Sequence, residues 1–234
     1  MKRLPSYNGT LRSHFLNVPK CIYTCSGILI FGKRIKSLVF STDVAIIKNI
    51  NTDAVIAVYP FTPQSQIAKA IIEIADVPVF VGVGGGVTSG HRSVLLAIEA
   101  EHLGAYGVVV NAPIAGDVIT RIKETVDIPV IATIASAQQD VAERIAAGAD
   151  ILNVAVAADT PAVVSDIRSH YPDIPIIATG GPTDDTIRAT IAAGANAITY
   201  TPPTNGELFA EKMRAYRKNG FGRNSIDGAT SQRH

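Results

Sequence analysis

The chain has 234 residues, of which 47% are apolar and 18% are charged. A chain of this length and apolar content can bury a full hydrophobic core, which excludes an intrinsically disordered protein. The 21 Lys and Arg residues nearly balance the 20 Asp and Glu residues, for a net charge of +1. This balance gives no electrostatic reason to expect nucleic acid or an anionic membrane as a partner.

The two cysteines, Cys21 and Cys25, are too few for a disulfide scaffold or a four-ligand zinc site. Their spacing leaves a strained disulfide as the alternative, but we expect reduced thiols, and the sequence predicts neither a metal site nor a cofactor. The start of the chain lacks the apolar run of a secretion signal, and no segment has the ~18–20 apolar residues of a membrane span. These features predict a cytoplasmic protein.

Residues 1–36 form an N-terminal extension before the regular part of the chain. Within it, Cys21–Tyr23 and Gly27–Phe31 are short apolar runs separated by a turn, which predicts a β-hairpin that caps the base of the following domain. The aromatic residues of the extension are expected to cover either that base or a second subunit, so a homo-oligomer is one of two arrangements. These residues are Tyr7, Phe15, Tyr23 and Phe31.

Two short signals alternate along the rest of the chain, and each recurs every 44 to 51 residues. The first is Asp-x-Pro, which ends a helix before a strand because proline disfavours helical geometry in the residue before it. The second is Gly-Ala, in which glycine supplies the left-handed residue that stops a helix. The first signal begins at Asp76, Asp127 and Asp173, and the second at Gly104, Gly148 and Gly194.

The runs after these signals are apolar on both faces, which is typical of parallel strands covered on both sides. Amphipathic stretches such as 67–74 separate them. The alternation predicts an α/β fold, a (β/α)8 TIM barrel over 37–219, with an open eight-stranded sheet as the alternative. The polar tail 220–234 is expected to be mobile. The eight strands are expected at 37–41, 54–59, 78–84, 107–111, 129–135, 151–156, 175–180 and 197–201.

Side chains of a barrel strand point alternately inward and towards the helices. In the later strands the more apolar set suits the helix side, which leaves neutral polar residues inward near the carboxyl ends. No Lys, Glu or His of the six later strands shares that register, so neither a Schiff-base lysine nor metal-assisted hydrolysis is indicated. These groups either bond only to each other or bind a small molecule, and we favour the second. They are Asn111, Thr133, Asn153, Thr179, Thr199 and Thr201.

Charged candidates lie in the loops after the strands. Asp43 follows the first strand and is a candidate general base, although it is also close to the start of a helix. His91 and Arg92 follow the glycine-rich run 84–90, which is either a lid over the site or a solvent-exposed loop. On the lid reading, His91 is catalytic and Arg92 binds the ligand. The other loop aspartates are expected to be caps or first-turn residues of helices. They are Asp117, Asp159, Asp184 and Asp185.

The run Thr179-Gly180-Gly181-Pro182-Thr183 ends the seventh predicted strand and begins a helix. Glycine lets the backbone approach an anion, and the N-terminus of a helix attracts one. The loops after strands seven and eight bind phosphate in many barrels. Gly180, Gly181 and Thr183 are therefore predicted to bind a phosphate, and the ligand is expected to be anionic.

The stretch from Asp127 to Thr201 resembles the ribulose-phosphate-binding barrels, which include phosphosugar epimerases, thiamine-phosphate synthase and the glycerol-operon antiterminator barrels. Segments 176–181 and 193–198 carry this resemblance. Over nearly its whole length the chain is also similar to a group of small bacterial barrels that are labelled hydrolases. The second resemblance lies in 36–43, 110–113 and 197–203.

Three functions are compatible with these residues. The leading hypothesis is that the barrel mouth binds a small phosphorylated or polyhydroxylated metabolite, as an isomerase or lyase. The main alternative is a non-catalytic metabolite sensor that resembles the antiterminator barrels, although no basic surface for RNA is evident. The third is a hydrolase in which Asp43 and His91 activate water.

Overall fold

The computed structural model describes residues 16–219, together with Pro5 and Tyr7. The tail 220–234, predicted to be mobile, and Phe15 lie outside the described residues. The strands are β1 (Ile28–Ile30), β2 (Lys33–Ile35), β3 (Ser37–Phe40), β4 (Ala54–Ala57), β5 (Val79–Gly84), β6 (Gly107–Val110), β7 (Val130–Ile134), β8 (Ile151–Val154), β9 (Ile176–Thr179) and β10 (Ala197–Tyr200). The helices are α1 (Val44–Lys48), α2 (Ser65–Ile74), α3 (His91–His102), α4 (Gly116–Lys123), α5 (Val141–Ala146), α6 (Thr160–His170), α7 (Asp184–Ala192) and α8 (Asn205–Asn219).

The predicted (β/α)8 barrel is confirmed. The eight strands from β3 to β10 are parallel neighbours in chain order, and β10 pairs with β3 to close the barrel. Every strand begins within one residue of its predicted start. The alternative of an open sheet is therefore wrong, since closure leaves no edge strand in the barrel.

The residues in the two repeated signals, and those directly after them, explain why the strands begin where they do. After Asp-x-Pro, the carbonyl of Pro78 accepts a hydrogen bond from Val55 at 2.9 Å, and Pro129 and Pro175 repeat this contact on the next alternate strands. After Gly-Ala, the Asp150 carboxylate accepts the Val130 amide at 2.9 Å. Asn196 does the same for Ile176. Each signal thus ties the start of one strand to the strand before it.

The predicted hairpin is present, but it is built from residues further along than expected. β1 and β2 pair antiparallel, joined by Phe31 and Gly32, which both have positive φ (44° and 78°). Two such residues form the tight turn that matches the twist of a hairpin. The prediction of a strand at Cys21–Tyr23 was wrong, because those residues lie in a 3-10 helix over Lys20–Thr24.

Cys21 lies in this 3-10 helix and Cys25 directly follows it; both are buried, and the helix contacts α7. Cys21 and Cys25 are both free thiols, as expected. Burial raises the pKa of the Cys25 thiol to about 11, and burial also raises the pKa of Cys21. Both residues therefore act as small apolar core groups at neutral pH.

The barrel interior is apolar near the amino ends of the strands. Each barrel strand contributes one inward residue to this apolar region, and all eight are at most 3% exposed. Ile28, Ile30 and Ile35 of the hairpin belong to the same buried cluster, and β2 leads directly into β3. The hairpin thus lies over the end where the strands begin. We call these eight residues the lower ring: Leu38, Ile56, Phe80, Val109, Ile131, Ile151, Ile177 and Ala197.

The chain divides into two compact units between Pro202 and Pro203. In the second unit, α8 follows a reciprocal cap between Thr204 and Glu207: the Thr204 amide and hydroxyl donate to the Glu207 carboxylate at 2.8 and 2.9 Å. These bonds lower the pKa of Glu207. No helix in the described part of the chain is long and apolar enough to cross a membrane.

Candidate functional site

The barrel interior changes character one step above the lower ring. The next inward side chain on each strand lies two residues further along, because side chains alternate. On three neighbouring strands, β3 to β5, this residue is apolar or glycine, whereas on the five strands β6 to β10 it is neutral and polar. We call the first set the apolar arc (Phe40, Val58 and Gly82) and the second the polar arc (Asn111, Thr133, Asn153, Thr179 and Thr199).

The polar arc is only partly satisfied by its own hydrogen bonds. Asn153 Nδ2 donates to Thr133 Oγ1 at 3.3 Å across paired positions of β7 and β8. Within the described residues, Asn153 Oδ1 and Thr199 Oγ1 are buried and have no hydrogen-bond partner. An unpaired buried polar atom costs about 1–3 kcal/mol, and proteins retain few of them. The arc therefore presents one carbonyl oxygen and one hydroxyl that a ligand can satisfy.

Polar side chains fix the loops that surround the polar arc. The Gln139 side chain folds back over the end of β7, accepting the Ala135 amide at 3.1 Å and donating to the Thr133 carbonyl at 3.2 Å. Arg144, which is 8% exposed, donates to the carbonyls of Ala112 and Ile114 in the loop after Asn111. These contacts hold the carboxyl ends of β6 and β7 in one position.

A pocket of about 140 Å³ opens beside the apolar arc. Its walls are the loop after β4 and the glycine-rich loop after β5. The second loop presses closely on β6: a Cβ on Gly85 would lie 2.5 Å from the Asn111 carbonyl oxygen, and Gly85 has φ +102°. The pocket joins the two arcs, because its lining includes Val58, Gly82 and Asn111.

Asp43 lies at the N-terminus of α1, where its carboxylate caps the helix. Oδ1 accepts the amides of Ala45 at 2.8 Å and Ile46 at 3.2 Å. The Ser41 hydroxyl oxygen accepts a hydrogen bond from the Asp43 amide at 3.1 Å. Asp43 thus has a structural role as a helix cap, and this role explains the residue without any catalytic one.

His91 and Arg92 begin α3, and both are exposed. His91 Nδ1 lies 3.2 Å from a guanidinium nitrogen of Arg121 on α4, so the imidazole is engaged with the helix layer. Among the described residues, no hydrogen bond or ion pair joins Asp43 to His91. The catalytic roles of this acid and this imidazole, on which the hydrolase hypothesis depends, stay predictions.

The glycines predicted to bind phosphate have local packing roles. The Gly180 amide donates to the Thr199 carbonyl at 3.4 Å, and a Cβ there would lie 2.7 Å from Ile187. A Cβ on Gly181, which has φ +79°, would lie 2.7 Å from the Thr186 hydroxyl.

Thr183 is likewise occupied, as the N-cap of α7. Thr183 and Thr186 exchange amide-to-hydroxyl bonds at 3.1 and 3.2 Å. Asp184 and Asp185 then place two carboxylates in the first turn of the helix. Their charge occupies the end of the helix dipole that would attract an anion. The anion site at strand β9 stays a prediction.

The remaining sequence-predicted residues fall into two groups. Asn111, Thr133, Asn153, Thr179 and Thr199 share the inward register of the lower ring, whereas Thr201 is exposed at the end of β10. The predicted first-turn aspartates Asp117, Asp184 and Asp185 do lie in the first turns of their helices. Within the described residues, no three His, Cys, Asp or Glu side chains are grouped so that they could hold a metal ion.

Sequence reasoning missed the apolar side of the mouth. Phe61 and Val87, which are 73% and 89% exposed, stand on the two loops that wall the pocket. A signal for them exists in the sequence, since a large apolar residue directly after a barrel strand lies at the mouth.

No family model matches the sequence, and no curated protein is similar to it. Solved structures do resemble the fold. A phosphonopyruvate hydrolase in complex with oxalate and Mg²⁺ is 14% identical over 87% of this chain and 89% of its own, with a TM-score of 0.62. A phosphoenolpyruvate phosphomutase from Streptomyces platensis subsp. rosaceus is 15% identical over 77% and 80%, with a TM-score of 0.58.

A dihydrodipicolinate synthase from Aquifex aeolicus is 19% identical over 75% of this chain and 68% of its own, with a TM-score of 0.53. At these identities the likeness establishes the class of fold, a (β/α)8 barrel. None of these three structures is named as a ribulose-phosphate-binding barrel, and that narrower resemblance stays a prediction.

Proposed function

We propose that this barrel binds a small, oxygen-rich metabolite in its mouth, with the polar arc as the recognition surface. One observation carries the proposal: Asn153 Oδ1 and Thr199 Oγ1 are buried in the polar arc without a partner. A hydroxyl or protonated acid group of a ligand would donate to Asn153 Oδ1, and a ligand hydroxyl or carbonyl oxygen would accept from the Thr199 hydroxyl. Thr133 is already bonded to Asn153 and orients its amide.

The neutrality of the polar arc narrows the class of ligand. Asn and Thr side chains exchange hydrogen bonds without compensating a full charge. Recognition therefore rests on hydroxyl and carbonyl oxygens, and the polyhydroxylated form of the leading hypothesis is better supported than the phosphorylated one. An anionic group would depend on Gly181 or on the exposed Arg92, neither of which is built into the arc.

The structural neighbours support a small-molecule ligand but not a particular one. One of them was solved with oxalate and Mg²⁺, and others are named for phosphonate or phosphoenolpyruvate chemistry. For this chain we propose from these neighbours only that the ligand is a small organic acid or a related metabolite. A ribulose-phosphate-like substrate is supported by the sequence segments 176–181 and 193–198 alone, which contain β9 and the start of β10.

Isomerase or lyase chemistry requires a group that moves a proton, and the inward register of the polar arc contains amides and hydroxyls only. Such groups orient a substrate and stabilise developing negative charge through hydrogen bonds. A non-catalytic sensor is the second candidate, and the capping role of Asp43 favours it because this acid is already used by α1.

A titration panel tests the proposal. Phosphosugars, 2-oxo acids, phosphonates and polyols would be titrated calorimetrically into the protein and into Asn153→Ala and Thr199→Val variants. We expect at least one compound to bind, with affinity about tenfold weaker in each variant, since a lost hydrogen bond with its partner left buried costs about 1–3 kcal/mol. A ligand that binds both variants as tightly as the native protein would refute the polar arc as its site.

The same panel separates the two candidate functions. Each compound that binds would be incubated with the protein and analysed by NMR for isomerised or cleaved products. Turnover that depends on Asn153 supports an enzyme. Tight binding without product from any compound supports the sensor.

A further inference from the structure

Beside the polar arc, the pocket between the loops after β4 and β5 is shaped for an apolar group. Phe61 and Val87 face solvent on its two rims, and Pro60 and Pro63 complete the loop after β4. Exposed apolar side chains of this size on both sides of one opening are unusual, because the transfer of apolar surface out of water is favourable.

Both walls are held in place by their own hydrogen bonds. In the loop after β4, the Gln64 amide donates to the Tyr59 hydroxyl at 2.7 Å and closes the turn that carries Phe61. In the glycine-rich loop, the Gly85 amide donates to the Thr88 carbonyl at 2.8 Å, while the Asn111 amide donates to the Gly84 carbonyl at 2.9 Å. A pocket with walls formed in advance loses little conformational freedom when it is filled.

The lining of the same pocket also includes polar residues. Asn111 of the polar arc lines it, and so does Thr88, which is 4% exposed. The Thr88 hydroxyl oxygen is buried and lacks a hydrogen-bond partner among the described residues. This atom is independent of the two unpartnered atoms in the polar arc, and it marks the pocket as a place where a ligand's polar group meets its apolar end.

We infer that the pocket is an apolar subsite, and that the ligand of this barrel is a hydroxyl-bearing molecule with a short aliphatic or aromatic substituent. The hydroxyl-bearing head lies on the polar arc, and the substituent lies between Phe61 and Val87. The volume of about 140 Å³ suits a group of a few carbon atoms. This inference rests on the proposed function, since the head must bind in the mouth for the substituent to reach the pocket.

A homologous series measures the subsite directly. The probes are the straight-chain 1,2-diols from 1,2-ethanediol to 1,2-hexanediol, titrated into isotopically labelled protein and followed by NMR chemical shifts. Their heads are identical, so affinity differences report on the tail. We expect affinity to rise about two- to fourfold for each added methylene until the pocket is full, as burial of apolar surface predicts.

Two variants test whether the rise in affinity with chain length comes from the pocket. Phe61→Ala and Val87→Ser should flatten the dependence on chain length while leaving 1,2-ethanediol binding unchanged, because they remove only the apolar walls. Leu95→Ala is the matched control: Leu95 is also an exposed apolar residue, at 52%, but it does not line the pocket. It should leave the dependence as it is.

The outcomes for the subsite and for the proposed function are distinct. Asn153→Ala should weaken the whole series by one common factor and keep its dependence on chain length. If Asn153→Ala has no effect, the polar arc is not the head site and the proposed function fails. The subsite is overturned if affinity is flat along the series, if no diol binds, or if both wall variants leave the dependence unchanged.

Discussion

The two arcs of the barrel mouth both lie two residues after the lower ring on their strands, yet they differ in kind. In the apolar arc, Phe40 and Val58 need no partner, and Gly82 gives room to Val58, whose Cγ2 would be 3.1 Å from a Cβ at that position. In the polar arc, Asn153 and Thr199 keep buried atoms that nothing in the described part of the chain satisfies. Packing alone therefore accounts for the first arc and not for the second.

This difference shows where function is to be sought in a barrel without an obvious catalytic residue. A protein that needed only stability would continue the apolar packing of the lower ring upward on all eight strands. Five strands depart from that packing together, and they are consecutive, β6 to β10. A continuous polar surface facing an apolar one is suited to a ligand that is itself polar at one end.

The largest expected effect on stability concerns the lower ring, which lies beneath both arcs. Phe80 is 0% exposed in the lower ring, and its ring stands edge-on to Tyr106 at 6.4 Å between centroids. Phe80→Ala should lower the free energy of unfolding by about 3–5 kcal/mol through the cavity it leaves. Urea denaturation measures this, with the exposed hairpin variant Leu29→Ala as control. A loss below about 1 kcal/mol for Phe80→Ala would contradict a close-packed lower ring.

The junction between the arcs gives the next largest effect. In Gly85→Ala, the new Cβ would lie 2.5–2.9 Å from three backbone atoms of Asn111, at φ +102°. We expect a loss of about 2–4 kcal/mol in unfolding free energy, since both the contact and the backbone conformation are unfavourable. Gly86→Ala is the matched control, because no atom lies within 4 Å of its Cβ. Equal stabilities of the two variants would show that the glycine loop does not press on β6.

Within the polar arc, stability and binding should move in opposite directions. Thr199→Val replaces an unpartnered buried hydroxyl with a methyl group of similar size, so thermal and urea stability should rise by about 1 kcal/mol. Thr190→Val makes the same change where the hydroxyl donates to the Thr186 carbonyl at 2.9 Å, and it should lose about 1 kcal/mol. If both variants lose stability alike, the Thr199 hydroxyl is satisfied in the folded protein and the polar arc loses its main support.

The strands of this fold were predictable from sequence because their causes are local. Asp150 and Asn196 each follow a Gly-Ala pair and bond to the first amide of the preceding strand, so the repeat itself carries the register. Once the first residue of each strand is known, the inward position of the polar arc follows, because every second side chain of a strand points inward.

The pocket and the hairpin were not predictable in this way. Phe61 and Val87 belong to different loops, and only the closure of those loops places them across one opening. The hairpin turn depends on Phe31 with φ 44°, a conformation that a bulky residue rarely adopts and that no pattern announces. Whether Asp43 is a cap or a base was undecidable as well, because the answer depends on α1 beginning at Val44, one residue later.

The smallest expected effect distinguishes those two roles of Asp43, which stands at the end of β3 beside the apolar arc. As an N-cap, Asp43→Ala should cost about 1 kcal/mol of unfolding free energy, whereas Asp43→Asn should cost only a few tenths, since asparagine caps helices about as well. A general base behaves differently: asparagine keeps the fold but removes the proton acceptor, and turnover of any substrate found should fall by about 10²–10⁴-fold. Urea denaturation and steady-state turnover of the same two variants therefore separate the roles: a cap predicts a loss of stability in Asp43→Ala but hardly in Asp43→Asn, whereas a general base predicts a loss of turnover in both. We expect the capping result, with Asp43→Asn close to the native protein in both measurements. A large loss of turnover in Asp43→Asn at unchanged stability would restore Asp43 to the chemistry and make the end of β3 part of an active site.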